Sequence, residues 1–349
     1  MKVLIFSGLK DKKLISKISP IISLEKIEKA YLIRNSALEY RKVRSLSPPF
    51  FLNFLVISEF IKLFCGVYVC LFKKIDYIIG IFLRPHGIFA YIFGKIFRKP
   101  VIQLFVGNDV DFIEKHERLF KNLLKSAEHI GVRGSRSKQR LSNIIKVKNK
   151  FFIHHNVYSP PAANQEISEE EKILDIICIA DFTKVKRMDV FLKVISKIKQ
   201  KYPGIKATMV GGNGRKRRYE KMRREMNLDE NVAFEGIVKD VYSHLTKSRM
   251  FMMTSEAEGL PMSLIESMSV GLPCVVPDVG DIPDIAKDGQ NALVVKPLDV
   301  EGFASRAIGL LEDRNLYEKI SQNAIATIRQ KEEEFSLQYN KEVWDDILG

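Results

Sequence analysis

Short apolar runs alternate with helix-patterned segments along both halves of this 349-residue chain, and that alternation constrains the fold most. A buried run of four to eight residues followed by a helical pattern is typical of parallel βα units. Ten such runs predict strands: Val3–Phe6, Lys29–Ile33, Tyr77–Ile81, Val101–Val106, 151–157, Ile173–Ala180, Ala207–Gly211, Val232–Phe234, Met250–Met253 and Cys274–Val276. We therefore predict an α/β protein with two doubly wound, Rossmann-like parallel sheets that face a central ligand cleft.

The length favours two domains, because a single core rarely serves more than about 250–300 residues. We place the N-terminal domain at 1–158, a linker at 159–171, where two prolines are followed by polar and acidic residues, and the second domain at 172–330. Helices are predicted at Asp189–Lys201 and Arg215–Met226 and through the C-terminal region. The last one, within 331–349 and carrying Trp344, is predicted to pack back toward the N-terminal domain.

Charge is divided unevenly between the halves. The net charge is +14, yet residues 1–160 hold 29 Lys and Arg against 11 Asp and Glu, while residues 161–349 hold 27 against 31. An excess of cations in one half indicates an anionic surface as its partner. That half is also rich in Phe, Ile and Leu and has no recognised nucleic-acid-binding motif, so we predict a membrane surface and no nucleic acid.

The membrane prediction rests on the aromatic-rich stretch from Pro48 to Phe72 and on basic clusters at 41–44 and 133–140. The alternative for Phe50–Phe72 is a core helix of the first domain. No spanning segment is predicted, because Glu59 and Lys62 interrupt the run and a charge inside a membrane span is costly. The N-terminal sequence has the pattern of a buried strand and not of a signal peptide. Four cysteines in apolar runs indicate a reducing compartment. We expect a cytoplasmic protein at the inner face of the cell membrane.

The segment from Glu258 to Pro277 carries the strongest functional signal. A polar loop precedes a proline, an amphipathic helix and then Gly271, where helices commonly end. Unpaired amides and the positive end of the helix dipole would meet at this helix start, which favours an anion such as a diphosphate. Glu258 before the helix and Glu266 on it could bind hydroxyl groups on either side, as a nucleotide sugar would require.

This segment resembles the signature of the retaining GT-B glycosyltransferases of family 4, in which seven residues separate two glutamates. Pro261, Gly271 and Gly280 also stand where that family has them. The resemblance assigns Glu258 to hydroxyl groups of the donor sugar and Glu266 to the ribose. It implies that a nucleotide-sugar donor, with UDP, GDP or a similar base, is bound without a metal or other cofactor. The residues around the helix start are predicted to line the donor site: Gly259, Leu260, Met262 and Ser263.

The loop after the strand Ile173–Ala180 matches the family in part. The family grips the diphosphate with an arginine and a lysine there. Lys186 stands at the lysine position, whereas Thr183 occupies that of the arginine, for which Lys184 or Arg187 could substitute. A solvated basic loop is the alternative interpretation.

Further candidates follow other predicted strands. Gly212, in Gly211-Gly212-Asn213-Gly214, lies in a turn that could line the cleft or be a simple tight turn. Ile237 matches the family's nucleobase segment. In the first domain Gly8 would let a loop approach the diphosphate or is an ordinary turn glycine. Asp109 could contact donor or acceptor or act as a helix N-cap.

Two further departures from the family concern Val106 and Asp281. Val106 replaces a histidine that the family often has before Gly107, and Asp281 replaces a glycine. His154 and His155 are predicted to be packing residues.

Taken with the resemblance, these residues predict a glycosyltransferase that moves a sugar from a nucleotide-diphosphate sugar to a lipid-linked or cell-surface glycan acceptor. The catalytic candidates are Glu258, Lys186 and Asp109. The alternative is a catalytically inactive partner subunit of a glycan-assembly complex, since a fold does not guarantee activity.

Overall fold

The computed structural model describes residues 1–49, 55–146, 150–160, 173–212 and 214–349. Within these ranges the chain forms a seven-stranded and a six-stranded sheet. The strands are β1 Lys2–Phe6, β2 Lys29–Ile33, β3 Val43–Leu46, β4 Tyr77–Ile81, β5 Val101–Leu104, β6 His129–Val132, β7 Phe151–Ile153, β8 Leu174–Ile179, β9 Ala207–Val210, β10 Val232–Gly236, β11 Ser248–Met252, β12 Cys274–Pro277 and β13 Leu293–Val295. The helices are α1 Asp11–Ser23, α2 Leu55–Phe72, α3 Ile88–Phe97, α4 Asp109–Lys115, α5 Glu117–Ser126, α6 Ser135–Ile145, α7 Met188–Lys199, α8 Lys216–Glu225, α9 Tyr242–Thr246, α10 Met262–Ser269, α11 Val300–Glu312, α12 Arg314–Gln330, α13 Glu332–Phe335 and α14 Leu337–Leu348.

The first sheet is parallel throughout, with the strand order β3-β2-β1-β4-β5-β6-β7. Its central strands are continuous apolar runs because helices cover both faces of such a sheet. The strand order reverses between β1 and β4, and a crevice at the carboxyl ends of such strands is where doubly wound folds bind ligands.

The second sheet repeats this plan in the order β10-β9-β8-β11-β12-β13, again with parallel pairs only. Its order reverses between β8 and β11. The loops that follow these two strands therefore flank the switch point of the second sheet. The predicted α/β class with two doubly wound parallel sheets is confirmed.

Contacts divide the chain into two compact units. The first comprises Met1–Ser159 together with Glu333–Gly349, and the second comprises Pro160–Glu332. The core of the first unit includes Trp344 of α14, whose ring meets that of Phe152 edge-on at a centroid distance of 5.2 Å. The predicted linker 159–171 lies almost entirely outside the described residues.

Three strands were not predicted from the sequence: β3, β6 and β13. They are three or four residues long, so their hydrophobic pattern is too short to separate from the neighbouring loops. Two predicted strands end two or more residues early. β5 stops at Leu104, and β7 stops at Ile153, so His154 and His155 follow the strand. Both histidines are buried, as the packing interpretation expects.

Candidate active site

The switch point of the second sheet brings together two charged side chains from distant parts of the chain. The loop after β8 carries Lys186, and the loop after β11 carries Glu258. The ammonium Nζ of Lys186 lies 2.5 Å from Oε1 of Glu258. Glu258 is only 7% exposed, whereas the Lys186 side chain is about one-quarter exposed. The pair therefore joins a buried carboxylate to a cation that reaches the surface.

Further bonds hold these two loops to each other. The amide of Glu256 donates to the carbonyl of Val185 at 2.8 Å, and the Thr254 hydroxyl donates to the Arg187 carbonyl at 3.1 Å. The guanidinium of Arg187 binds both carboxylate oxygens of Asp189, at 3.0 and 2.8 Å, and reaches Glu256 at 3.2 Å. Its bond to Asp189 raises the pKa of Arg187. Arg187 is thus occupied by carboxylates and shapes the loop.

Thr183 is exposed at the start of the same loop, beside the glycine-rich turn after β9. Gly212 accepts the amide of Phe182 at 2.9 Å, and the amide of Arg215 donates to the carbonyl of Phe182 at 3.0 Å. Gly211 has φ +133°, and a Cβ there would lie 1.9 Å from the Ala180 carbonyl oxygen. The absence of a side chain at Gly211 therefore allows this turn to pack directly against the backbone of Ala180. Asn213, the third residue of this glycine-rich turn, lies outside the described residues.

Lys184 and Arg215, two of the cations at this edge, make no ion pair with any residue in the described ranges. Lys184 lies beside Thr183, and Arg215 opens α8 next to Phe182. A cavity of about 660 Å³ lies over the first turn of α8, lined by Gly214 to Arg218. Positive charge therefore surrounds the position where the resemblance expects an arginine.

Helix α10 begins directly after the Glu258 loop. Pro261 is its N-cap residue and has no capping side chain, and no acceptor within the described part of the chain binds the amides of Met262 and Ser263. At the other end the amides of Gly271 and Leu272 donate to Met268 and Ser267, both at 3.0 Å, which is a Schellman motif with Gly271 at φ +73°. The amino end of α10 thus offers free N–H groups and the positive end of a helix dipole.

The other predicted donor-site residues lie at this same edge. Gly259 and Leu260 are buried before α10, and Glu266 is half-buried in its second turn. Ile237, 71% exposed, follows β10, and its Cγ1 is 3.0 Å from the place of a Cβ on Gly212. Ten predicted residues therefore lie at the carboxyl edge of the second sheet: Thr183, Lys186, Gly212, Ile237, Glu258, Gly259, Leu260, Met262, Ser263 and Glu266.

The turn after β12 packs against the backbone of the Glu258 loop and supports it. The amide of Asp281, which is fully buried, donates to the carbonyl of Gly259 at 3.1 Å. Gly280 has φ +55°, and a Cβ there would lie 2.0 Å from the carbonyl oxygen of Glu258. A glycine is therefore required at 280 for the loop to take this course.

Two predicted residues belong to the first unit, Gly8 and Asp109. Gly8 follows β1 at the switch point of the first sheet, and a Cβ there would lie 2.6 Å from Cε1 of His86. His86 is buried after β4, and its Nδ1 has no partner among the described residues. Burial, aided by the charge of Lys62, lowers the pKa of His86 to about 4. Sequence reasoning missed this neutral imidazole; its signal was Pro85-His86-Gly87, shortly after the predicted strand Tyr77–Ile81.

Asp109 opens α4 but does not cap it. Its carboxylate accepts the amide of Val106 at 3.0 Å and that of Leu83. Burial raises the pKa of Asp109 to about 6, against the opposing effect of these two bonds and of the Arg84 charge. Asp109 thus ties together the loops after β4 and β5, which is a role that neither sequence interpretation included.

No cluster of three or more His, Cys, Asp or Glu side chains suited to a metal ion occurs in the described ranges. The four cysteines are free. No helix among the described residues is long and apolar enough to cross a membrane.

The fold is shared with solved structures. Anabaena Alr3699/HepE, crystallised with UDP and glucose, superposes with a TM-score of 0.78 over 100% of this chain and 99% of its own, at 16% sequence identity. That likeness establishes the fold. Two doubly wound sheets of this kind define a protein of the GT-B class.

The sequence comparisons find similarity in the second half of the chain. Residues 161–327 match the family model described as glycosyl transferases group 1. N-acetyl-alpha-D-glucosaminyl L-malate synthase of Bacillus anthracis is 29% identical over 184 residues, which cover 52% of this chain and 47% of the relative. UDP-Gal:alpha-D-GlcNAc-diphosphoundecaprenol alpha-1,3-galactosyltransferase of Escherichia coli is 26% identical over 103 residues, or 29% of this chain and 27% of the relative.

This chain spans at most about half the length of the two curated relatives described here. The family model of the glycosyl transferases group 1 matches residues 161–327, which are just under half of this chain. This match supports the predicted class of enzyme, a glycosyltransferase.

Proposed function

We propose that this protein transfers a sugar from a nucleotide-diphosphate sugar, with retention of configuration, to a lipid-linked or cell-surface glycan acceptor. One observation carries the donor part of the proposal. A buried glutamate and a lysine are paired at the switch point of the second sheet, directly before the uncapped start of α10. This edge of a doubly wound sheet is where such folds bind nucleotides.

The chemistry asks for stabilisation of the leaving diphosphate. In our proposal the amides at the start of α10 and the ammonium of Lys186 bind that diphosphate, because fixed positive charge is most effective where negative charge develops. Lys184 and Arg215 add to the positive field. No nucleophile is assigned, and most of the rate enhancement would come from positioning and leaving-group stabilisation.

The two glutamates take different parts of the donor in this proposal. Glu258, which precedes α10, binds hydroxyl groups of the sugar, while Glu266, in the second turn of α10, binds the ribose. Retention and these two roles follow from the resemblance of residues 258–266 to the family 4 signature. No metal is required, since cations and helix amides neutralise the diphosphate.

The relatives support the choice of substrates. HepE is named in complex with UDP and glucose, and the Escherichia coli relative is named for a UDP-Gal donor and a diphosphoundecaprenol-linked acceptor. A lipid-linked acceptor also suits the first half of this chain, which is basic and rich in apolar residues. We therefore place the protein at the cytoplasmic face of the cell membrane.

A non-catalytic partner subunit is the second candidate, favoured by Thr183 and Val106 at positions where the family has an arginine and often a histidine. Hydrolysis of nucleotide-sugar donors by the purified protein separates the two candidates. Release of the nucleoside diphosphate from one sugar donor of a panel is expected of the enzyme. Tight donor binding without turnover, with acceptor present or absent, would identify the inactive subunit.

The assigned roles predict a split between two variants. Glu266→Ala should weaken binding of the bare nucleoside diphosphate, because its contact lies on the ribose. Glu258→Ala should keep that affinity, because Glu258 binds the sugar and not the nucleoside diphosphate, and because Lys186 is released from its pair with Glu258. The same variant should lower turnover of the full donor. Isothermal titration with the nucleoside diphosphate checks this, and equal losses in both variants would overturn the assignment.

A further inference from the structure

Helix α2 is mostly apolar in sequence, although only one of its faces meets the core of the first unit. Ser58, Lys62 and Val69 are buried on that inner face. Gly66 brings the helix so close to α3 that a Cβ there would lie 2.7 Å from the ring of Phe93. The outward face of a surface helix is normally polar, so an apolar outward face indicates a covering partner or a membrane.

The outer face of α2 is exposed. Phe64 and Phe72 are 73% and 67% exposed, and Leu71 and Phe60 are 60% and 58% exposed. Spacings of three and four residues place the exposed side chains on one side of the helix. The complete set is Ile57, Phe60, Phe64, Val67, Tyr68, Leu71 and Phe72, which we call the α2 outer face. A contiguous apolar face of this kind marks an interaction site.

Cations gather at the carboxyl end of this face. Lys73 and Lys74 follow α2 directly, and Nζ of Lys73 lies 5.3 Å from the centre of the Tyr68 ring. Lys99 lies close enough to Cys70 to lower its pKa, against the burial that raises that pKa to about 11. Lys95 and Arg98 end α3, which packs against α2. An apolar surface with a cationic border matches the boundary between acyl chains and anionic headgroups.

The acidic residue of α2 does not oppose this match. Glu59 is bonded to the buried ammonium of Lys62 within the same helix. The outer face itself carries no charged side chain. Anionic headgroups would therefore contact lysines and an apolar surface. They would not be repelled by Glu59, because its carboxylate is paired with Lys62.

We propose that the α2 outer face docks the protein on an anionic bilayer, with α2 lying in the plane of the membrane and its aromatic side chains among the headgroups and upper acyl chains. The inner face of α2 stays on the core, so the helix enters the interface on one side only. A second copy of the chain is a poorer occupant, because its α2 outer face carries no acidic side chain to meet these lysines. Docking rests on the proposed function for its purpose, the reach to a lipid-linked acceptor, but not for its test.

Sedimentation with vesicles tests the proposal. We would compare neutral phosphatidylcholine vesicles with vesicles that also contain anionic phosphatidylglycerol, at low and high salt, because lysines bind an anionic leaflet and salt screens that attraction. The full chain should bind the anionic vesicles at low salt, and high salt should weaken that binding. Phe64→Ser/Phe72→Ser should weaken it at least about tenfold, and Lys73→Gln/Lys74→Gln should weaken it mainly at low salt.

A matched control uses an equally exposed apolar residue elsewhere. Ile173→Ser, at a position 68% exposed in the second unit, should bind vesicles as the parent chain does. Melting temperature and nucleoside diphosphate affinity, measured for every variant, exclude unfolding and separate failed docking from a failed donor site. Docking is rejected if the parent chain ignores anionic vesicles or if the Phe64/Phe72 variant binds as well as the parent. A dimer in ultracentrifugation that this variant abolishes would instead assign the face to a second copy.

Discussion

At the residue scale, the Lys186–Glu258 pair is the central feature of the second unit. Lysine and glutamate come from loops 72 residues apart, and each loop is held by its own backbone bonds. Removal of either partner leaves the other without its counter-ion. The loss of stability should be larger when Lys186 is removed, because Glu258 is then a buried carboxylate without a partner. Function and local stability are therefore coupled at this pair.

Lys186→Ala should lower turnover by more than about a hundredfold, since loss of one group that stabilises a developing oxyanion typically costs about 3 kcal/mol. Lys184→Ala is the matched control from the same loop, because Lys184 is exposed and makes no ion pair with a described residue. Its turnover should fall far less. Steady-state donor hydrolysis measures both, and similar losses would show that the loop acts only through its overall charge.

Asp109 gives a pH-dependent prediction. Its pKa is raised from 3.8 to about 6, so the folded protein binds a proton at Asp109 more tightly than the unfolded chain does. The stability from this proton is fully present below pH 4 and is lost as the pH rises through 6. Two units of pKa correspond to a free-energy change on the order of 3 kcal/mol.

Urea unfolding of the parent chain and of Asp109→Asn at several pH values tests this. The Asn variant cannot ionise, so its free energy of unfolding should improve relative to the parent as the pH rises from 4 to 7. The comparison also removes the contribution of His86, which titrates in both proteins. Parallel pH curves would show that Asp109 is not perturbed.

At the element scale, turns position the functional side chains. The Schellman motif ends α10, and the turn at Gly280 leaves just enough room for the Glu258 backbone. Sequence indicated Gly271 and Gly280 as members of a motif, but the reason for Gly280 is a contact between segments 22 residues apart. Such contacts have no signature in local patterns.

Gly280→Ala should displace the Glu258 loop and lower donor affinity and turnover by about tenfold or more. Gly289→Ala is the control, because Gly289 also has a positive φ, +66°, but a Cβ there would meet nothing within 4 Å. Both variants carry the strain of an alanine at positive φ, on the order of 1 kcal/mol. A difference between them in donor affinity isolates the steric effect on the loop, and its absence would contradict the support we assign to Gly280.

At the scale of the whole molecule, the first unit is built from two distant parts of the sequence. α14 packs on α1, and Trp344, 1% exposed, lies against Phe152 in the same core. Asn340 binds the amide of His155 at 3.0 Å, which adds a polar tie between the C-terminal segment and the end of β7. The last seventeen residues therefore complete the first unit.

Trp344→Ala should destabilise the first unit by about 3–5 kcal/mol, the usual cost of a large buried aromatic truncated to alanine. Leu337→Ala, on the same helix but 42% exposed, should cost less than about 1 kcal/mol. Urea unfolding followed by circular dichroism gives both values. Equal values for the two variants would mean that α14 contributes little to the core.

The sequence by itself determined the α/β class and ten of the strands, because alternating apolar runs are a local pattern. It also singled out the segment around Glu258 and Glu266, where a proline stands at the helix start and Gly271 at its end. It also indicated Lys186, Gly8 and Asp109. Tertiary structure decided that Lys186 pairs with Glu258, that Arg187 is held by two carboxylates, and that His86 lies against Gly8. It also decided which face of α2 is left exposed. These features depend on strand order and on packing between distant segments, which a linear pattern does not contain.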